Sequence, residues 1–119
     1  MPTADEILSH CLAKPGAWQD SPWDDHVVAK VGEAGKIFCS IGDGSIGVKA
    51  GTRDEADEWL HEFPDDASVM AYIGKHGWNS LRVGAGIPDT ALLAAIDESY
   101  LYVVEKLPKS KRPEGWDGT

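Results

Sequence analysis

The sequence predicts an α+β fold: a single domain in which an antiparallel β-sheet of about five strands is covered by helices, in the order α-β-β-β-α-β-β-α. Three observations predict it. Residues 27–50 alternate apolar and polar side chains in short runs separated by glycine-bearing turns. Runs with helical spacing stand before, between and after the strands, two of them opened by Thr-x-x-Glu capping boxes. A length of 119 residues with 42% hydrophobic content suffices for one core without disulfides.

The first capping box is Thr3-Ala4-Asp5-Glu6, followed by an apolar stripe of Ile7, Leu8, Cys11 and Leu12. Lys14-Pro15-Gly16 ends that helix, because the residue before a proline is pushed out of the helical region. Ala17 to His26, AWQDSPWDDH, has no periodicity and reads as a structured loop anchored by Trp18 and Trp23. Val27, Ala29 and Val31 then form the inner row of a first strand, and Gly32-Glu33-Ala34-Gly35 suits a four-residue hairpin loop. In the second strand Ile37, Cys39 and Ile41 are expected on the core side, with Lys36, Phe38 and Ser40 facing out. Gly42-Asp43-Gly44 makes the next turn, and Ile46, Val48 and Ala50 oppose Ser45, Gly47 and Lys49 in the third. Such a glycine cluster can cradle phosphate when it opens a helix, but here it joins two strands.

Thr52 to Glu55 starts a second helix whose Ala56, Trp59, Leu60 and Phe63 share one face. Its other face is acidic, with Asp54, Glu55, Asp57, Glu58 and Glu62 followed by Asp65 and Asp66, and Pro64 closes it. Such a run reads first as a solvated face and second as a docking surface for a basic protein partner. Ser68 to Ile73 alternates again as a fourth strand. After Gly74-Lys75-His76-Gly77-Trp78 a fifth runs Asn79 to Val83, Leu81 and Val83 inward and Arg82 outward. Pro88-Asp89 opens the longest helix, whose Leu92, Leu93, Ile96, Tyr100, Val103, Val104 and Leu107 make it the main lid on the sheet. Residues 1–108 are thus one domain, and 109–119, rich in Lys, Pro and Gly, are expected to form a flexible tail.

The formal charge of −9, from 11 basic and 20 acidic side chains, opposes non-specific attraction to nucleic acid or anionic membrane. No apolar run approaches the roughly 20 residues that span a bilayer, and the acidic amino terminus lacks the features of a secretory signal. A cytoplasmic monomer is expected, its Cys11 and Cys39 buried and reduced.

Catalysis finds no coherent constellation. Neither cysteine has a polar, exposed context, and Ser99 lies inside the last helix rather than on a nucleophile elbow. Asp24-Asp25-His26 offers metal donors, but three adjacent residues cannot all converge on one ion, and His10, His61 and His76 show no zinc spacing. No enzyme activity, metal or cofactor is expected. For nucleic acid the cations are Lys14, Lys30, Lys36, Lys49, Lys75, Arg82, Lys106, Lys109, Lys111 and Arg112, with His76 and Trp78 beside them. Phosphate contact requires such cations on one face. The positions singled out as nucleic-acid or ligand contacts are Lys36, Phe38, Lys75, His76, Trp78 and Arg82; Trp78 with Tyr72 also suggests a small-molecule pocket.

Several elements taken in order carry a resemblance: Lys14-Pro15-Gly16-Ala17, Pro22-Trp23, Lys30-Val31-Gly32 with Gly35-Lys36-Ile37-Phe38, Lys75 to Trp78, and Ser99-Tyr100 with Lys106-Leu107-Pro108. From Leu8 to Pro108 the chain resembles the MmcQ/YjbR-like family of small bacterial proteins. The resemblance implies a compact α+β domain with an antiparallel sheet, described as a double wing, and a DNA-binding role attached to that shape. Two departures fall where a wing tip or ligand contact is expected: the turn lengthened by Glu33-Ala34, and Gly77 inserted between His76 and Trp78.

Overall fold

The structure, a computed structural model, describes residues 3–23, 26–42 and 44–118. Both capping boxes form. Thr3 and Glu6 open α1 (Ala4–Leu12), and Thr52 and Glu55 open α2 (Arg53–Glu62), each threonine hydroxyl accepting from the backbone three residues on. Between them run β1 (Ala17–Trp23), β2 (His26–Val31), β3 (Lys36–Ile41) and β4 (Ser45–Lys49). After α2 come β5 (Ala67–Val69), a 3₁₀ turn at Gly74–His76, β6 (Trp78–Arg82), α3 (Asp89–Glu105) and a second 3₁₀ turn at Lys109–Lys111.

All pairings are antiparallel, and the sheet order is β1-β2-β3-β4-β6-β5. The crossover through α2 places β6 beside β4 and leaves β5 on the edge. One sheet face carries Ala29, Cys39, Ile41, Ile46, Val48 and Leu81, buried with Ile7 and Cys11 of α1 and Leu92, Ile96, Tyr100 and Val104 of α3. The α+β prediction therefore holds, with α3 as the principal lid.

Three local expectations are corrected. The stretch read as a loop from Ala17 to His26 is the edge strand β1. Its text hides this because an edge strand need not alternate: Trp18 and Gln19 are exposed, and Pro22 sits where the register shifts between Asp20 and Trp23. The strand expected from Ser68 to Ile73 stops at Val69. Tyr72 adopts a left-handed φ of 66° and is 97% exposed, so the alternation beyond Val69 belongs to a turn rather than to a pleat.

The third correction concerns Phe38, expected to face out as a ligand contact. Ala29 pairs with Cys39 while Lys30 pairs with Ile37, so Phe38 is the extra residue of a bulge. The bulge reverses the pleat on one side. Phe38 turns into the core, fully buried, with its ring edge-on to Tyr100 at 5.2 Å, and half-buried Ile37 takes the opposite face. Phe38 therefore cannot touch a ligand.

The segment after α3, expected as a flexible tail, lies against the domain. Pro113 packs over Gly16, Arg112 donates to the carbonyls of Glu105 and Leu107 and stacks over Trp116, and Trp116 packs against the core. The metal donors Asp24 and Asp25 and the turn residue Asp43 lie outside the described residues.

Candidate functional site

A buried hydroxyl shapes the end of the sheet where several predicted residues meet. β3 and β4 pair from Ile41↔Ile46 to Cys39↔Val48. At the next step Ser99 of α3 stands between them. Its Oγ accepts from the Lys49 backbone N–H at 2.9 Å and donates to the Phe38 carbonyl at 2.6 Å. A hydroxyl is both donor and acceptor, so it replaces the direct ladder bond and holds the strands apart by its own width. Ser99 is completely buried, and its polar role inside an otherwise apolar helix stripe is thereby explained.

Beside this opening lies a groove of about 970 Å³, bounded by the ends of β3 and β4, the start of α2, the Gly74–His76 turn and the last turn of α3. Lys36, Lys49, Lys75, His76 and Lys106 line it together with Trp78 and Tyr102. Among the described residues, Lys36, Lys75, His76 and Lys106 have no side-chain hydrogen bond or ion pair. Lys49 is already engaged, donating to the carbonyls of Gly51 at 3.1 Å and His76 at 2.5 Å. Burial lowers its pKa, as does nearby Lys106, against the opposing pull of Glu55. A chain of net charge −9 thus gathers four lysines and a histidine around two aromatic side chains.

Gly77, one of the two departures noted in the sequence, builds this wall. It has φ of 93°, and a Cβ there would strike the carbonyl of Gly51. Its own carbonyl accepts from Ala50 N–H at 2.7 Å, which seats the 3₁₀ turn against the start of α2. Lys75 and Trp78 consequently both line the groove. The other departure, Glu33, pairs with Lys111 at 3.7 Å and lies outside it.

Of the six residues singled out from sequence, Lys36, Lys75, His76 and Trp78 are brought together; Phe38 and Arg82 are not. Arg82 sits at the far end of β6, 4.0 Å from Asp66. Lys14, Lys30 and Arg112 have structural duties. Lys14 donates to Asp97 at 2.5 Å over the Tyr100 ring, Lys30 to Asp20 at 2.6 Å over Trp18, and Arg112 caps α3.

Sequence reasoning missed Arg53, Glu55 and Tyr102 as groove residues. Arg53 donates to Asp57, to the Gly74 carbonyl and to Oδ1 of Asn79, whose Nδ2 donates to the Ala56 carbonyl; this network ties α2 to the groove wall. Glu55 closes the capping box and accepts from Tyr102 Oη at 3.4 Å. Its hydrogen bonds with Thr52, backbone first, hold its carboxyl below the usual range. Tyr102 carried one usable signal: it is an aromatic residue off the apolar stripe formed by Tyr100, Val103 and Val104.

Elsewhere the acidic α2 face is exposed at Asp54, Glu58 and Glu62, while Asp57 and Asp66 are engaged with Arg53 and with Gly86 N–H. Cys11 and Cys39 are free and buried. Among the described residues no group of three or more His, Cys, Asp or Glu is placed to hold a metal, and no helix is long and apolar enough to cross a membrane.

Fold and groove together define a small α+β domain with one helix-covered sheet face and a cation-lined concavity at one end of the sheet. The family model YjbR matches residues 12–102, and the chain belongs to the YjbR family. It is 28% identical over 112 residues to the uncharacterized protein YjbR of Escherichia coli K12, covering 92% of this chain and 94% of that one. The YjbR of Escherichia coli O157:H7 matches equally. The crystal structure of Deinococcus radiodurans protein DR2400, a DUF419 domain, superposes with a TM-score of 0.84 at 22% identity, over 94% of this chain and 86% of that one. That likeness concerns the fold.

Proposed function

We propose that the protein is a non-enzymatic binding domain and that the groove around Trp78 takes a small anionic ligand. The observation that carries this reading is the convergence of Lys36, Lys75 and Lys106, unpaired among the described residues, on one concavity of an acidic chain. Like charges gathered without partners repel one another, and a bound anion relieves that cost. The groove's volume falls within the range of small-molecule sites, roughly 300–1,000 Å³.

The absence of catalysis is supported by how the reactive groups are used. The Ser99 hydroxyl is committed to two backbone groups, both thiols are buried, and Asp97 is paired with both His10 and Lys14. Duplex DNA, the ligand implied by the family resemblance, ranks second. Lys36, Lys75 and Lys106 sit inside a concavity flanked by the acidic face of α2, Arg82 lies apart, and Lys14 and Lys30 are paired.

Calorimetric titration with pyrophosphate at low salt tests the reading. Wild type is expected to bind, and Lys36→Glu, Lys75→Glu or Lys106→Glu each to lose about 1.5 kcal/mol, roughly tenfold. No heat of binding at millimolar pyrophosphate would overturn it. Tighter binding to a duplex than to pyrophosphate, with a log–log salt slope of about −0.9 per phosphate, would put nucleic acid in its place.

A further inference from the structure

The basic groove does not end at Trp78. A second cavity of about 570 Å³ lies on the sheet face away from α1 and α3, and the two share Ile37, Ile73 and Trp78. Among the described residues its lining contains no charged side chain: Val28, Ile46 and Met70 join the shared residues, over a floor of Ser40, Gly47 and Ser80. The floor is low because Gly47 pairs with Ser40 on one side and Ser80 on the other. Met70 lies over Gly47, whose missing Cβ would otherwise stand 2.8 Å from the Met70 sulfur. The thioether is a flexible, polarizable cover, able to repack around an apolar body.

The bulge at Phe38 gives the two cavities a common wall residue. An unbroken pleat would put Ile37 in the core; the extra residue places it on the outer face, where it lines both cavities. The two neighbouring cavities therefore offer a cationic part and, among the described residues, an uncharged, largely apolar part. A small inorganic anion satisfies only the first of these. Ile73, 41% exposed, leaves apolar surface where the two cavities meet.

We infer that the ligand is an amphiphilic organic anion. Its carboxylate, phosphate or sulfonate lies among Lys36, Lys75 and Lys106, and its apolar body passes Ile37 and Trp78 into the serine-floored trough under Met70. The inference rests on the anion-binding reading above and adds the ligand's second half. An aromatic body would gain from the Trp78 face and the Met70 sulfur, an acyl chain from Ile37 and Ile73.

The test uses 8-anilinonaphthalene-1-sulfonate, the uncharged N-phenyl-1-naphthylamine, octanoate and pyrophosphate, with wild type, Lys106→Glu and Ser80→Leu, each confirmed folded by near-UV circular dichroism. The sulfonate is expected to bind at least tenfold tighter than either the neutral amine or pyrophosphate, and pyrophosphate to compete with it. Lys106→Glu should weaken both anions about tenfold. Ser80→Leu, which fills only the trough, should weaken the sulfonate at least fivefold and leave pyrophosphate within twofold. Should that leucine prevent folding, Met70→Ser, which removes the cover of the trough and lies outside the basic groove, is expected to give the same split. Octanoate displacing the dye as well as an aromatic acid of equal charge would assign an acyl body, and failing to do so an aromatic one. Pyrophosphate binding with no gain for the sulfonate, or a sulfonate affinity unmoved in the trough variants, overturns the inference while leaving anion binding intact. Failure of every anion overturns both.

Discussion

Replacing Ser99 with alanine removes one oxygen and leaves two backbone groups without partners. The Phe38 carbonyl is buried in the core, whereas the Lys49 N–H lies at the half-buried edge of the groove. An orphaned buried polar group costs about 1–3 kcal/mol. The carbonyl bears the upper part of that range and the amide the lower, since water reaches it from the groove side. Alanine returns about 0.5 kcal/mol through its better helix propensity. The net expected loss is about 3 kcal/mol, the cost of two orphaned groups less that return. For 119 residues, an unfolding entropy of about 2.1 cal/mol/K per residue converts this into a fall in Tm of roughly 12 °C. In urea, with m of about 1.5 kcal/mol/M, the midpoint falls by about 2 M. Thr90→Ala, at an exposed position of the same helix, should move neither measure appreciably. A loss below about 0.5 kcal/mol for Ser99→Ala, within the ordinary range for surface substitutions, would refute the bridge as the support of the opened strands.

Other perturbations follow from the same geometry. Gly77→Ala must relieve a collision with the Gly51 carbonyl at a left-handed φ and is expected to cost more than about 3 kcal/mol; Gly44→Ala, with φ of 76° and open space around it, should cost about 1 kcal/mol in the same urea titration. At Asp97 burial acts to raise the carboxyl pKa, but the hydrogen bonds from Lys14 and His10 outweigh it, so the folded value lies below the unfolded one. Its contribution is therefore complete above the unfolded value of about 3.9 and lost as pH falls through the folded value, so the stability gap between wild type and Asp97→Asn should close below about pH 4 in acid titrations. Glu55→Gln keeps the capping box while removing a carboxylate from the groove, and should raise pyrophosphate affinity about fivefold by calorimetry; an unchanged affinity would count against Glu55 as a competing internal anion.

Much of the fold was legible because its signals are local. Thr3 and Thr52 announce helix starts, the stripe from Leu92 to Leu107 announces the lid, and Pro108 stops it. What escaped depends on partners far along the chain. β1 lacks alternation because it is an edge strand steadied by Lys30 on Asp20 and by Trp18 donating to the Gly32 carbonyl. Phe38 was assigned to the wrong face because a one-residue bulge inverts an alternating pattern without altering its text.

The candidate site was half legible for a similar reason. Charge type pointed to Lys36 and Lys75, but pairing depends on three-dimensional neighbours. Nothing in the residue order shows that Arg82 is placed beside Asp66 while Lys106, 70 positions from Lys36 in sequence, reaches the same groove. Arg53 reads as the first cation of an acidic helix, and only the packed structure makes it the tie between α2, Asn79 and the Gly74 carbonyl.

The central claim is that an anion binds where the unpaired lysines converge. Two-dimensional NMR of the protein titrated with pyrophosphate tests it most directly. Saturable shifts are expected at Lys36, Lys49, Lys75 and Lys106 and at the Trp78 indole N–H, with Lys14, Lys30 and Arg82 unmoved. Shifts confined to Arg82 and the second 3₁₀ turn, or spread over every exposed lysine without saturation, would contradict it.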